Sequence, residues 1–277
     1  MKMPNFMSSQ SNDMRMSGMA GLKYIAIIPA RFASTRFPGK PLARITERET
    51  LVERVWRQVS GVFDNAWVAT DDKRIYDAVT GFGGKAVMTD AGHNSGTDRC
   101  REAFEKIGNG EDVVVNVQCD EPFVDARLLM PLMRCFDDPA TDIATLVSRF
   151  EASGDYARLA DPDTPKVVVD ENMNALYFSR SVIPYLRGVE PCRWPSSHVF
   201  YTHMGIYAYR SGVLGEITRL PQSSLEKAES LEQLRWLQNG YKIKVAVADS
   251  RLISIDTPRD LENAIKLLSR KEDYDRL

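Results

Sequence analysis

The apolar run Tyr24–Ile28 leads straight into Pro29-Ala-Arg-Phe-Ala-Ser-Thr-Arg-Phe-Pro-Gly-Lys40, a stretch that carries Arg31, Arg36, Lys40, two hydroxyls and a glycine. Three cations and the backbone N–H groups of such a loop can surround a polyphosphate, with Ser34 on the same loop. The stretch is neither G-x-G-x-x-G nor G-x-x-x-x-G-K-[ST], so a dinucleotide fingerprint and a P-loop both lose their main support. The competing reading is a solvated basic loop. A second stretch, Asn116-Val-Gln-Cys-Asp-Glu-Pro122, ends the most apolar run of the chain. It puts Asp120 and Glu121 where a sheet would open into a crevice. A carboxylate there suits Mg²⁺, a hard cation that takes one or two carboxylates plus substrate phosphates; the alternative is a turn-forming Asp before Pro122. Asp256 ends another short apolar run, Leu252–Ile255. Two aspartates at strand termini are therefore expected to hold one metal ion, or a pair, between them. Cationic loop and paired carboxylates together describe metal-dependent nucleotidyl transfer. That reaction needs triphosphate charge neutralised and the α-phosphorus stabilised, without a covalent nucleophile.

Elements to position these groups are legible along the chain. Strands are expected at Tyr24–Ile28, Ala66–Thr70, Ala86–Met88, Val113–Val117 and Ile143–Val147, with helices around Leu51–Ser60, Lys73–Thr80, Asp98–Ile107 and Ala126–Phe136 between them. Leu51, Val52, Val55 and Val59 share one helix face. The alternation predicts an α/β fold with a mostly parallel central sheet and helices on both faces. Ligands bind such a sheet beyond the carboxyl ends of its strands, where the two stretches above lie. Closely spaced β runs at Lys166–Val169, Ala175–Phe178 and Gly205–Tyr209 predict an inserted antiparallel lobe over about 165–210. Ser223 to Glu226 reads as a capping box opening a helix through Leu237, stopped by Gly240. Thr257 to Asp260 reads as a second box, with Pro258 at the first helical position. Residues 1–21, rich in Met, Ser and Asn, read as a flexible leader, 22–270 as one nucleotidyltransferase domain and 271–277 as a tail.

Composition narrows the classes. The 277 residues include 36 Lys+Arg and 38 Asp+Glu, a net charge of −2, with 43% hydrophobic residues. Nucleic-acid and membrane-surface binding both call for a basic excess that is missing here. The mix is too apolar for a disordered chain. Cys100, Cys119, Cys135 and Cys192 form no C-x-x-C pair, as expected for a reducing, cytoplasmic location. His93, His198 and Cys192 match no zinc-ligand spacing.

Seven segments then appear in order: the 29–41 loop, Ser95-Gly-Thr-Asp-Arg99, Asn116–Pro122, Tyr177-Phe-Ser-Arg180, His203-Met-Gly-Ile-Tyr207, Leu231-Glu-Gln-Leu234 and Ile255-Asp-Thr-Pro258. With them, the chain from about Lys23 to Leu268 closely resembles the 3-deoxy-manno-octulosonate (Kdo) cytidylyltransferases. The resemblance implies that CTP and Kdo react with Mg²⁺ to give CMP-Kdo and pyrophosphate for lipopolysaccharide assembly. It implies Arg31 and Lys40 on the triphosphate, Ser34 and Arg36 in the same loop, and Arg99 and Gln118 in the nucleotide pocket. Asp120 and Asp256 would hold Mg²⁺, while Arg180, His203, Tyr207, Glu232 and Gln233 would face the sugar acid. A homodimer is implied, with the β excursion contributing to its interface. Independently, a carboxylate-bearing polyol needs a cation and mixed donor–acceptor groups, which Arg180, His203, Glu232 and Gln233 supply. Another 2-keto sugar acid, sialic-acid-like or 8-amino, and a catalytically silent CTP-binding homologue are the alternatives. Two departures stand out. Cys119 occupies the family's usual glycine position; if that position needs φ > 0 or close ligand approach, a side chain would bring strain or a narrower nucleotide pocket, and reduced but real activity is expected. Thr46–Thr50 replaces a Gly-Lys-Pro turn away from the chemistry.

Overall fold

The computed structural model describes residues 21–249 and 253–269; residues 1–20 of the expected leader, the expected tail at 271–277 and Leu252 lie outside the described residues. In chain order the elements are β1 (Tyr24–Ala30), α1 (Leu51–Ser60), β2 (Ala66–Thr70), α2 (Lys73–Gly81), β3 (Lys85–Met88), α3 (Gly96–Ile107), β4 (Val113–Asn116), α4 (Ala126–Arg134), β5 (Ile143–Arg149) and α5 (Tyr156–Leu159). There follow β6 (Lys166–Val169), β7 (Ala175–Ser179), α6 (Trp194–Ser197), β8 (Tyr201–Arg210), α7 (Ser211–Ile217), α8 (Ser224–Glu229), α9 (Gln233–Gln238), β9 (Ile243–Ala248) and α10 (Pro258–Ser269).

The strands form one sheet in the order β3-β2-β1-β4-β8-β5-β9. All neighbours are parallel except at β8, which runs antiparallel to β4 and β5. Both faces of the sheet are buried, which is why β4 reads as an unbroken Val-Val-Val-Asn run, buried at all four positions. One core packs Ile28, Val115, Met204 and Ile206 against Val55 of α1 and Leu132 of α4. The other packs Ile27, Val114, Tyr207 and Tyr209 against α3, α7 and α9.

Three expectations are corrected. The excursion is only partly a lobe: β6 and β7 form an antiparallel hairpin, but β8 enters the central sheet between β4 and β5. A register shift opposite Thr145 and Leu146 accommodates Gly205 within β8. The helix expected from Ser223 through Leu237 is two helices joined by Ser230, whose φ of 51° is left-handed. Leu225, Ala228, Leu231, Leu234 and Leu237 recur every three residues, a spacing that drifts about 60° per step around a helix of 3.6 residues per turn. The break at Ser230 returns Leu231 and Leu234 to the core. Finally, Ile253–Asp256 is not a strand; β9, unanticipated, takes the sheet edge instead.

Candidate active site

The parallel strands aim the two conspicuous stretches at the same edge of the sheet. After β1 the chain loops back on itself. The Gly39 N–H donates to the Phe32 carbonyl at 2.9 Å, and the Phe37 N–H donates to Ser34 Oγ at 3.3 Å. Gly39 is left-handed (φ 71°), and a Cβ there would lie 3.1 Å from the Phe32 ring, so the turn requires glycine. The Arg74 guanidinium caps the other side of Phe32, 3.3 Å from its centroid. The fold-back delivers Lys40 into the crevice. Its Nζ donates to Asp120 Oδ2 at 2.8 Å and to the Ile255 carbonyl at 2.8 Å, and lies 3.6 Å from Asp256 Oδ1. Arg36 pairs with the same Asp256 oxygen at 3.0 Å. The Ile255 N–H donates to the Asp120 carbonyl at 2.9 Å. Asp120 and Asp256 thus meet at one ammonium, although Asp256 lies at the end of a loop segment rather than of a strand.

The opposite wall is the start of α3. Ser95 caps the helix by accepting from the Asp98 N–H at 3.1 Å. Gly96 sits against Pro29 and Gln118, where a Cβ would be 3.3 Å and 3.4 Å from side-chain atoms. Gln118 donates to Asn116 Oδ1 at 2.9 Å. Arg99 is buried, donating to Thr89 Oγ1 at 2.6 Å and to Asp71 Oδ2 at 3.1 Å, and so ties the ends of β2 and β3 together. Arg31, Ser34, Arg36, Lys40, Arg99, Gln118, Asp120 and Asp256 all border one cavity of about 250 Å³. His93 borders it too and pairs with Glu102. Burial pushes the Glu102 carboxyl up, but hydrogen bonds from Lys106, the Asp90 N–H and His93 outweigh it and leave it at about 2.

The residues expected to face the sugar acid are divided: His203 borders a neighbouring cavity of about 420 Å³ and Glu232 another beside Ser95 and Asp98, while Tyr207 and Gln233 are buried between them. His203 Nε2 is 3.0 Å from Thr145 Oγ1, and its ring stands edge-on to Phe178. Burial lowers His203 to about 3, so the imidazole is neutral. Tyr207, paired with Asn116 across the β4–β8 ladder, packs edge-on against Trp236. Glu232 accepts from Thr97 Oγ1 at 2.7 Å and from Arg235 at 2.9 Å, and burial raises its carboxyl. The Tyr207, Tyr209, Gln233 Nε2 and Trp236 Nε1 groups are buried without a hydrogen-bond partner. The Arg180 guanidinium donates to the carbonyls of Glu229 (2.7 Å), Pro162 (2.7 Å) and Ser230 (3.4 Å), and it does not border the cleft of Lys40 and Asp120.

Cys119 does not meet the condition for strain, although it does border the cleft. Its backbone is not left-handed, and its side chain joins the core under the cleft at 7% exposure. Burial, reinforced by the Asp120 charge, pushes its thiol far up, so it is a neutral apolar filler rather than a strained intruder. Thr46–Thr50 forms a turn closed by Arg44–Thr50 pairing, outside the cleft. Glu121 was legible only as half of a carboxylate pair. Burial, then the Asp120 charge, raises it to about 8; it accepts from the Ser254 hydroxyl, and Oε2 has no partner.

The cytidylyltransferase family model matches residues 25–243. The 3-deoxy-manno-octulosonate cytidylyltransferase of Phocaeicola vulgatus is 57% identical over 251 residues, covering 91% of this chain and 99% of that protein. The enzyme of the same name from Bacteroides thetaiotaomicron is 56% identical, covering 90% and 100%. The solved structure of CMP:2-keto-3-deoxy-manno-octonic acid synthetase complexed with CTP superposes with a TM-score of 0.81 at 40% identity, covering 90% of this chain and 99% of that one. A carboxylate pair gathered on a loop lysine, on a sheet of this topology and with relatives this close over nearly the full length, assigns the chain to the cytidylyltransferase family, among the 3-deoxy-manno-octulosonate cytidylyltransferases.

Proposed function

We propose that the protein transfers CMP from CTP to the C2 hydroxyl of Kdo, releasing pyrophosphate and supplying CMP-Kdo for lipopolysaccharide assembly. The observation that carries this reading is the meeting of Asp120 and Asp256 at Lys40 Nζ beside the cationic loop. In the reaction the C2 oxygen bonds to the α-phosphorus as the bond to the bridging oxygen breaks. Pyrophosphate leaves with the electron pair, and the hydroxyl proton passes to the medium. Arg31, Lys40 and Arg36 face triphosphate oxygens, Ser34 lines the same turn, and Gln118 with the Arg99-braced wall confines the nucleoside.

The donor set fits Mg²⁺. Two hard carboxylates already hold a cation, the Lys40 ammonium, in the cleft. Asp120 and Asp256 would hold Mg²⁺, which would supply charge neutralisation at the phosphates and a lowered pKa for an oxygen bound to it. Lys40 and Arg36 are the cations available to the phosphates beside it. Among the described residues no cluster of three or more His, Cys, Asp or Glu side chains forms a metal site.

For the sugar acid, the unpartnered Tyr207 hydroxyl and Gln233 amide and the Glu232 carboxyl offer donors and an acceptor to hydroxyls, with neutral His203 beside them. Arg180 reaches the acceptor only by leaving its three carbonyl partners. Exposed Leu176, Tyr185 and Val199 on the excursion support a homodimer built through it. No helix among the described residues is long and apolar enough to cross a membrane; the cytoplasm is the compartment this reading gives the reaction. The test is pyrophosphate release from CTP with Kdo, with an 8-amino analogue and with a sialic acid, each with MgCl₂ or with EDTA. Turnover with Kdo that EDTA abolishes is expected; preference for another acid, or CTP binding without turnover, overturns the reading.

A further inference from the structure

We propose that Glu121 and Ser254 form a positioning pair that sets the placement of Asp256 relative to Asp120, and with it the affinity of the cleft for its divalent cation; this rests on the Mg²⁺ reading above. The two carboxylates arrive by different routes. Asp120 follows directly from the sheet through β4, whose pairing extends to the Val117 N–H on the Ile27 carbonyl at 3.1 Å. Asp256 has no such support, because Ile253–Asp256 belongs to no ladder. The Thr257–Asp260 capping interactions, including the Asp256 N–H on Asp260 at 3.2 Å, fix Asp256 to α10 but not to β4.

Among the described residues, buried Ile255 packs the segment into the core that also holds Cys119 and Val124. Polar contacts join it to the Asp120 turn: the Ile255 N–H on the Asp120 carbonyl, Lys40 on the Ile255 carbonyl and on Asp256, and the Ser254 hydroxyl on Glu121 Oε1. Lys40 is the member that nucleotide binding would draw away toward phosphate. The Ile255 packing and one backbone bond then remain beside the Glu121–Ser254 bond, which alone joins the two turns side chain to side chain. That bond is anchored on a side chain only 5% exposed, so the anchor cannot drift. Glu121 borders not the cleft of Asp120 and Asp256 but the neighbouring cavity that His203 lines, with Ser254 beside it. It acts through the loop that carries Asp256, as groups behind metal ligands commonly do.

Ser254 is exposed, so its variants test the hydrogen bond without opening a core. Mn²⁺ binding is measured by electron paramagnetic resonance on the full chain with CTP and no sugar acid, so that nothing turns over. CTP affinity in EDTA is measured in parallel. In Ser254→Ala, Mn²⁺ affinity is expected to fall about 10-fold, the lower end for groups supporting metal ligands. CTP affinity in EDTA should be unchanged, and Ser254→Thr, which restores the hydroxyl, should recover Mn²⁺ affinity. Mn²⁺ affinity in Ser254→Ala within about 2-fold of wild type overturns the inference, as does an equal loss of CTP affinity in EDTA or a failure of Ser254→Thr to recover. Wild-type protein that binds no Mn²⁺ with CTP would instead remove the metal reading itself, and the pair's role with it.

Discussion

At the rim of the cleft, ionic groups satisfy one another; in the wall behind it, several buried polar groups satisfy nothing. Lys40, Arg36, Asp120 and Asp256 form a chain of contacts between 2.8 and 3.6 Å that runs from part-buried Lys40 and Asp120 out to the more exposed Asp256 and Arg36. Gln233 and Trp236 bury polar atoms without a hydrogen bond, and the buried Tyr207 hydroxyl has at most a poorly aligned Thr145 beside it. The contrast reflects two ways of preparing for a ligand. Exposed ion pairs are individually weak, so exchanging a carboxylate for a phosphate costs little and can follow substrate and metal. An orphan buried donor costs about 1–3 kcal/mol until something accepts it, so it discriminates sharply between ligands that do and do not. The rim is built for charge, the wall for identity.

Removing a rim carboxylate should therefore strike turnover hardest. Asp120→Asn keeps the shape but halves the anionic pair, and kcat for pyrophosphate release should fall about 10³-fold, the scale of losing one electrostatic stabiliser of the transition state. Sugar-acid affinity, measured without CTP, should hold. A loss confined to sugar binding would dissolve the distinction between rim and wall.

The wall is probed by Tyr207→Phe. Removing an unpartnered hydroxyl should leave the thermal midpoint unchanged or raise it, since the desolvation penalty goes with it. The KM for the sugar acid should rise about 10-fold while the KM for CTP stays put, as expected for one lost hydrogen bond of roughly 1.4 kcal/mol. A fall in stability with no change in KM would mean that the hydroxyl is satisfied in the free protein and idle in the complex.

His203 sharpens the comparison through pH. Burial lowers its folded-state value to about 3, below the ordinary 6.5. Folding therefore favours the neutral ring, and the stability this contributes is present above about 6.5 and lost as pH falls toward about 3. In His203→Gln the acid-side loss of the urea midpoint between those limits should be shallower than in wild type. Parallel pH curves would show that the ring is solvated.

How much of this is legible from residues alone depends on whether the partners are neighbours in the chain. The cationic loop is contiguous, so Arg31, Arg36 and Lys40 declare themselves together, and β1 and β4 place it correctly because their apolar runs leave no doubt about burial. Long-range hydrogen bonding declares nothing. Arg180 carries the chemistry expected of a carboxylate binder, yet three backbone carbonyls take its guanidinium. Glu121 and Ser254 lie 133 residues apart and have no local pattern. β9 is different: Ile-Lys-Val after Gly240 alternates, but a short run with Ala on its outer positions is easily passed over. The left-handed Ser230 is invisible because nothing in Ser marks it, whereas the three-residue spacing of the leucines was a signal against one continuous helix.

Cys119 offers the smallest effect and the most direct check on what lies beneath the rim. A side chain in place of glycine would matter if the backbone were left-handed or if the thiol filled the nucleotide's space, and neither condition holds outright. The backbone is ordinary, and Cys119 packs with the core that includes Val117, Phe123 and Val124 while only its edge meets the cleft. Cys119→Gly should leave CTP turnover within about 2-fold of wild type, since no charged or hydrogen-bonding group of the rim changes. It should lower stability by about 1 kcal/mol, through a small packing defect and the extra backbone freedom of glycine in the unfolded chain. A marked gain in turnover would mean that the thiol narrows the pocket after all. A marked loss would give the thiol a part in holding Asp120, and the rim could then no longer be treated as charges resting on an indifferent floor.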